Sequence, residues 1–256
     1  MIKRLFTIPL ALASTLLGLL AMPLTQAAES NPPNIAERVK AYEQARGAGK
    51  DAPKMAPKDM AVMKKSAQDL AAAMPHPGLK VGAKAPDFHL KNAQGKMVSL
   101  HEALRQGPVV LVFYRGAWCP YCNLQLHALK ESLPAFKQHG ASLIAITPQT
   151  PDKSLEQVKK DGYPFEILSD LDDQVMKAYQ LYWEIPPELN QVYQHSFGLD
   201  VAAFNGKGRH GLPVPGTFII DQGGIVRAAS ADTDYKKRME PADILAALKQ
   251  LPRAKK

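Results

Sequence analysis

Two cysteines, Cys119 and Cys122, stand two residues apart, directly after the apolar run Val109-Val-Leu-Val-Phe-Tyr114 and directly before a segment of helical periodicity. The run is β-rich and almost wholly apolar, as a strand buried on both faces is. Beyond the cysteines, Leu124, Leu126, Leu129, Leu133 and Phe136 recur at helical spacing and stop before His139-Gly140. The pair therefore falls at a strand-to-helix junction, with Pro120 suited to the first helical position. There the unpaired backbone N–H groups and the helix dipole stabilise a thiolate, and the Cys-x-x-Cys spacing lowers the thiol pKa further. Cys119 is the expected nucleophile. Cys122, one turn on, is placed to attack a mixed disulfide or a sulfenic acid on Cys119.

Other uses of two cysteines fit less well. A structural disulfide stabilises by closing a long loop, and this one would close four residues. A zinc site would need two more ligands, and no second Cys pair or His-x₃₋₅-His spacing occurs. We expect no metal and no cofactor.

Ahead of the domain, Lys3 and Arg4 precede an apolar stretch from Leu5 to about Leu24, followed by Ala27-Ala28. This is the outline of a cleaved signal peptide over 1–28, with an uncleaved membrane anchor as the alternative. Cleavage would leave no stable membrane insertion and a periplasmic or secreted protein. The full chain of 256 residues carries a formal charge of +8, of which Lys3 and Arg4 supply two. The mildly basic remainder has no nucleic-acid motif, so no nucleic-acid partner is expected.

Residues 29–78 read as a helical extension and linker. One helix is predicted at Ile35–Tyr42, and a second puts Met60, Met63, Ala67, Leu70 and Met74 on one stripe, facing either the domain core or a partner. Pro75-His-Pro-Gly78 marks a boundary, leaving 79–256 as the main domain. Within it a hairpin is expected around Asn92-Ala-Gln-Gly95. It is followed by the Val109 strand, the long helix, a strand at Ser142–Ile146, a helix at Ser154–Lys160, a strand at Phe165–Leu168 and a helix at Asp173–Tyr179. That alternation signals an α/β fold with parallel strands. Residues 181–212 are an insertion of mixed structure. Strands at Thr217–Asp221 and Ile225–Ala229 and a helix at Pro241–Leu251 complete the domain. Pro215 heads an apolar strand, where a constrained turn or a cis bond would accommodate it.

Trp118-Cys-Pro-Tyr-Cys122 after an apolar strand, together with Val214-Pro215 before Thr217-Phe-Ile-Ile-Asp221, resembles the thioredoxin superfamily. The resemblance implies a central mixed sheet flanked by helices and a cis Pro215 packed against the active-site disulfide Cys119–Cys122. Val81-Gly-Ala-Lys-Ala-Pro-Asp-Phe-His-Leu90 and Leu168-Ser-Asp-Leu-Asp-Asp-Gln-Val-Met-Lys-Ala-Tyr179 are similar to stretches of the peroxiredoxin (alkyl hydroperoxide reductase/thiol-specific antioxidant) family, over about 80–251. That family implies an antioxidant enzyme: hydroperoxide reduction at Cys119, resolution by Cys122, and recycling by a thioredoxin-like reductant. Three departures stand out. The family's Thr or Ser three residues before its peroxidatic Cys is Gly116 here, and its Pro seven before is Val112. A second Arg that commonly precedes the Thr217-Phe218 strand is also missing. Arg115 is the candidate cation beside Cys119, or else a strand-end surface charge, and Trp118 the candidate shaper of substrate access. Disulfide exchange on exported proteins, or a redox-inert binding module, are the alternative functions. No oligomeric state follows from these residues.

Gly206-Lys-Gly-Arg-His-Gly211 satisfies Gly-x-Gly-x-x-Gly, but it runs into Leu212-Pro-Val-Pro rather than a helix, so a flexible basic loop is expected instead of a dinucleotide site. His127 could tune the thiols or lie on a solvated helix face. Tyr182 and Trp183 are expected as buried aromatics or groove-lining residues.

Overall fold

The computed structural model describes residues 32–48 and 55–251. The expected signal peptide and its cleavage site lie outside them. In chain order the elements are α1 (Ile35–Ala48), α2 (Pro57–Ala73), β1 (His89–Asn92), β2 (Met97–Ser99), α3 (Leu100–Gln106), β3 (Val109–Phe113), α4 (Pro120–Gln138), β4 (Ser142–Thr147) and α5 (Pro151–Asp161). They continue with β5 (Glu166–Ser169), α6 (Gln174–Ala178), β6 (Tyr182–Glu184), α7 (Pro187–Phe197), α8 (Ala202–Asn205), β7 (Gly211–Pro213), β8 (Gly216–Ile220), β9 (Val226–Ala231) and α9 (Pro241–Lys249). The described residues form one compact unit that includes the helical extension.

The main sheet runs β2-β1-β5-β4-β3-β8-β9. β3, β4 and β5 are parallel, with Leu111 opposite Ile144 and Ala145 opposite Ile167, and the remaining pairings are antiparallel. Every residue of β3 is buried, because helices cover both faces of the sheet. Alternation along the strand divides the core. Leu111 and Phe113 pack with Phe218, Ile144 and Tyr179 on one face, whereas Val110 and Val112 pack with Leu129, Leu133, Phe136 and Ile244 of α4 and α9 on the other. Phe218 is fully buried, edge-on to Phe113 at 6.0 Å and tilted against Tyr179 at 5.5 Å. Phe218→Ala is expected to cost about 3–5 kcal/mol in denaturant unfolding through the cavity it leaves.

Expected elements appear with small shifts whose causes are local. α5 begins at Pro151 rather than Ser154, since a proline is at home in a first helical turn, and it ends where Gly162 adopts φ 62°. The buried stripe of α2 differs from the expected one. Asp59, Ser66 and Leu70 are buried and Met60 is exposed, so the face is turned by about one residue. The cause is polar: Asp59 accepts hydrogen bonds from Ser196 Oγ at 2.7 Å and pairs with His195 Nε2 at 2.9 Å at the end of α7. Val62 and Met63 then pack against the small core of Ile185, Leu189, Tyr193, Val201 and Leu212.

The 181–212 insertion is ordered. β6 and β7 pair antiparallel, carrying α7 and α8 between them. Its glycine-rich stretch is not a flexible basic loop. Arg209 donates to the carbonyls of Pro148 (2.9 Å), Asn205 (2.5 Å) and Asp170 (2.9 Å) and pairs with Asp173 at 2.5 Å, clamping the stretch to the loops after β4 and β5. Gly206 and Gly208 supply the positive φ this tight path needs.

Among the described residues no peptide bond is cis, so Pro215 follows a trans bond, contrary to the expectation. The chain reaches it extended. Val214 N–H donates to Leu181 O at 2.7 Å, and Gly216 is already opposite Phe113 in the ladder. A proline between the two sheets loses no ladder hydrogen bond.

Candidate active site

β3 ends at Phe113, and residues 114–118 turn the chain into α4, whose N-cap is Cys119 and whose first helical residue is Pro120. Cys119 Sγ accepts from the Cys122 backbone N–H at 3.4 Å, so the sulfur takes the place of an ordinary capping oxygen. Both thiols are free, 1% and 0% exposed, with their sulfurs 2.7 Å apart.

The turn is fixed from below by a buried polar network. Gln149 Oε1 accepts the Ala117 N–H at 3.0 Å, and Gln149 Nε2 donates to Tyr114 Oη, Ser154 Oγ and Gln157 Oε1 at 3.1–3.2 Å. Gln157 Nε2 donates to Asn123 Oδ1, and Asn123 Nδ2 returns to the Ala117 carbonyl at 2.8 Å. Both polar groups of the Ala117 backbone are thereby held two residues before the nucleophile. A buried network with its partners satisfied rigidifies what it touches.

Arg115 is buried at 5% exposure, so it is no strand-end surface charge. It donates to Tyr193 Oη at 2.6 Å and lies over the rings of Trp118 (4.9 Å), Tyr235 (4.7 Å) and Tyr193 (5.8 Å). Burial works to lower its pKa, but the Tyr193 phenol and the two sulfurs outweigh burial and raise it, so the guanidinium stays charged. A cavity of about 50 Å³ adjoins it, walled by Met63, Leu70, Trp183, Leu189 and Pro215. The structure thus gathers Arg115, Trp118, Cys119 and Cys122 in one place, and Pro215 lines the same cavity as Arg115. His127 stands apart, half exposed and 3.8 Å from Asp161.

A second cation reaches the thiols from the loop between β9 and α9. Arg238 Nη2 is 3.6 Å from Cys122 Sγ. The charges act on a pair that shares one proton. Burial, the Cys122 hydrogen bond and the Cys122 charge raise Cys119 well above its ordinary range, against Arg115 and Arg238. Burial also raises Cys122, but the hydrogen bond with Cys119 and the charges of Arg238 and Arg115 prevail and bring it down to about 6. One proton leaves readily and the other is held, and with the sulfurs 2.7 Å apart this ionisation belongs to both. These directions favour a singly ionised pair, which is the state a thiol nucleophile requires.

Sequence reasoning missed Tyr193, Tyr235, Arg238 and Gln149. Tyr193 follows Leu189 and Val192 on α7, and that apolar spacing was its one available signal. Arg238 ends the run Lys236-Lys-Arg238, which reads as a solvated surface.

The family model described as "AhpC/TSA family" matches residues 81–229. The chloroplastic peroxiredoxin Q of Oryza sativa subsp. japonica is 32% identical over 146 residues, covering 57% of this chain and 56% of the rice protein. The match thus spans little more than half the rice protein's own length. The thiol-disulfide oxidoreductase ResA of Geobacillus kaustophilus is 27% identical over 161 residues, covering 62% of this chain and 74% of ResA. Among solved structures, the peroxidoxin BcpB of Mycobacterium tuberculosis superposes with a TM-score of 0.53 at 22% identity, over 69% of this chain and 99% of BcpB. That likeness shows the thioredoxin-like fold, and since the family model takes in more than half of the chain, this protein belongs to the AhpC/TSA family.

Proposed function

We propose that the protein is an exported thiol peroxidase acting on hydroperoxides. The observation that carries this is the buried dithiol at the N-terminus of α4, its sulfurs 2.7 Å apart and its first cysteine capping the helix, set beside the guanidinium of Arg115. The Cys119 thiolate attacks the distal peroxide oxygen, the O–O bond breaks, and the alcohol or water leaves with a proton. Cys119 becomes a sulfenic acid, oxidised by two electrons. Cys122 attacks that sulfur, water departs, and the Cys119–Cys122 disulfide forms. A thioredoxin-like dithiol returns the two electrons by exchange. Arg115 supplies charge where the oxyanion of the leaving group develops, and Trp118 screens that cation from solvent. Export rests on the leader-like residues 1–28.

One observation favours disulfide exchange as a second reading. Gly116 has no hydroxyl to orient a peroxide, and the match to ResA accords with such chemistry. The two readings separate in a single assay of the reduced protein lacking 1–28, with thioredoxin recycling and hydrogen peroxide or cumene hydroperoxide as oxidant. Turnover well above that of a free thiol is expected. Consumption at the free-thiol rate, with rapid reduction of an oxidised test protein, would replace peroxide reduction by disulfide exchange.

A further inference from the structure

We propose that Arg238 is a catalytic residue that makes Cys122 the leaving sulfur when the oxidised pair is reduced, so that an incoming thiol is captured by Cys119. The inference rests on the dithiol chemistry proposed above but not on peroxide being the oxidant.

Arg238 is unusual in what it lacks. An arginine presents five N–H donors and normally meets carboxylates. Among the described residues Arg238 enters no ion pair, its Nη1 donates only to the neighbouring Lys237 carbonyl at 2.8 Å, and its buried Nε has no partner. Among the described residues the one side chain it donates to is Cys122, at 3.6 Å from the sulfur. A half-buried guanidinium without a carboxylate is costly, and it is offset only when a negative charge forms at Cys122.

The two sulfurs are therefore served by different devices. The Cys119 sulfur has the helix N-terminus, through the Cys122 N–H. The Cys122 sulfur has a full cation brought in from the loop after β9. In exchange, a donor thiolate attacks one sulfur of the disulfide, the S–S bond breaks, and its electron pair stays on the other sulfur. The sulfur whose thiolate is better stabilised leaves faster. Arg238 selects Cys122 for departure and the donor is bound to Cys119; a second donor thiolate then attacks the donor sulfur of the mixed disulfide, the bond to Cys119 breaks with its electron pair on Cys119, and the oxidised donor leaves with both cysteines reduced. Among the described residues the other charged and titratable groups about the pair include Arg115, Tyr114, Tyr121, Tyr163, Tyr193 and Tyr235, and burial raises the phenols of Tyr114, Tyr121, Tyr163 and Tyr235.

The test uses the full domain with Arg238→Met and Arg238→Lys variants. The oxidised proteins are mixed with glutathione, quenched with an alkylating agent, and mapped by mass spectrometry. Wild type is expected to carry glutathione on Cys119 and the alkyl label on Cys122. Arg238→Met should lower the exchange rate about three- to tenfold and spread the adduct over both cysteines. In the reduced proteins, thiolate absorbance at 240 nm should show the first ionisation moving up by about one pH unit in Arg238→Met. Arg238→Lys, keeping the charge, should restore most of both effects. Unchanged adduct position and midpoint in Arg238→Met would overturn the assignment, as would a Lys variant no better than Met in a protein of unaltered Tm. A wild type that consumes no peroxide but still shows these shifts would remove the peroxidase reading and leave Arg238 in its role.

Discussion

Cys119→Ser is expected to lower peroxide consumption by a factor on the order of 10³ or more, because the reaction loses its nucleophile and the neighbouring Cys122 thiol is fully buried one turn inside α4. Cys122→Ser should behave differently: one rapid turnover, then an accumulating sulfenic acid on Cys119 that dimedone traps. The contrast follows from the geometry, since only Cys119 caps α4 and Cys122 lies one turn inside the helix with no exposed surface. The pH dependence of the wild type should share the origin. The pair loses its first proton with a midpoint near 6, held down by Arg238 and Arg115, so the rate constant should be flat above neutrality and fall as pH drops below 6. Stopped-flow measurement of the first turnover checks all three. A Cys119→Ser protein retaining wild-type turnover would transfer the nucleophile's role elsewhere.

Gly116→Ala is expected to destabilise the protein by about 2 kcal/mol and to displace Trp118. Gly116 has φ 149°, a conformation that residues with a Cβ rarely adopt, and an added Cβ would lie 2.5 Å from Trp118 Nε1. The indole would have to shift away from the new Cβ, and it stacks with Arg115 at 4.9 Å. Gly140→Ala is the control: its φ of 70° brings similar backbone strain, but nothing lies within 4 Å of the new Cβ, so about 1 kcal/mol is expected. Urea denaturation and tryptophan fluorescence read both quantities. Equal losses in the two variants would mean that the indole moves freely and that no contact holds residue 116 as glycine. The same geometry accounts for the departure from the family pattern at this position. A hydroxyl-bearing residue requires a Cβ, and here Trp118 occupies its space.

The strand, the helix and the cysteines between them were legible in the sequence because they depend on local pattern. β3 is apolar throughout, α4 repeats at helical spacing, and Pro120 marks the junction. Arg115 was legible as a residue, whereas its burial was not: what buries it is Tyr193 and Tyr235, which come from 78 and 120 positions further along. Arg238 was hidden for the same reason, since a basic run reads alike whether its last member meets water or a sulfur. The face of α2 was misplaced because periodicity ranks methionine above aspartate, and the buried Asp59 hydrogen bonds reversed that order. Pro215 shows the opposite failure. Its position before a strand was evident, but its isomer depends on the path set by Leu181 and Phe113.

Glu240, the residue before α9, accepts the Ile35 and Ala36 backbone N–H groups at 2.7 and 2.9 Å, capping the first helix from 205 residues away. That helix in turn sets Tyr42 edge-on to Tyr121, between the two cysteines. A chain made from its N-terminus has α1 long before it has Glu240, so during synthesis the full covering of the dithiol waits until residue 240 has been made. Nascent protein consequently passes through a stage in which the sheet can form while its thiols are still open to solvent and to other thiols, and the shield closes only when the two ends of the domain meet.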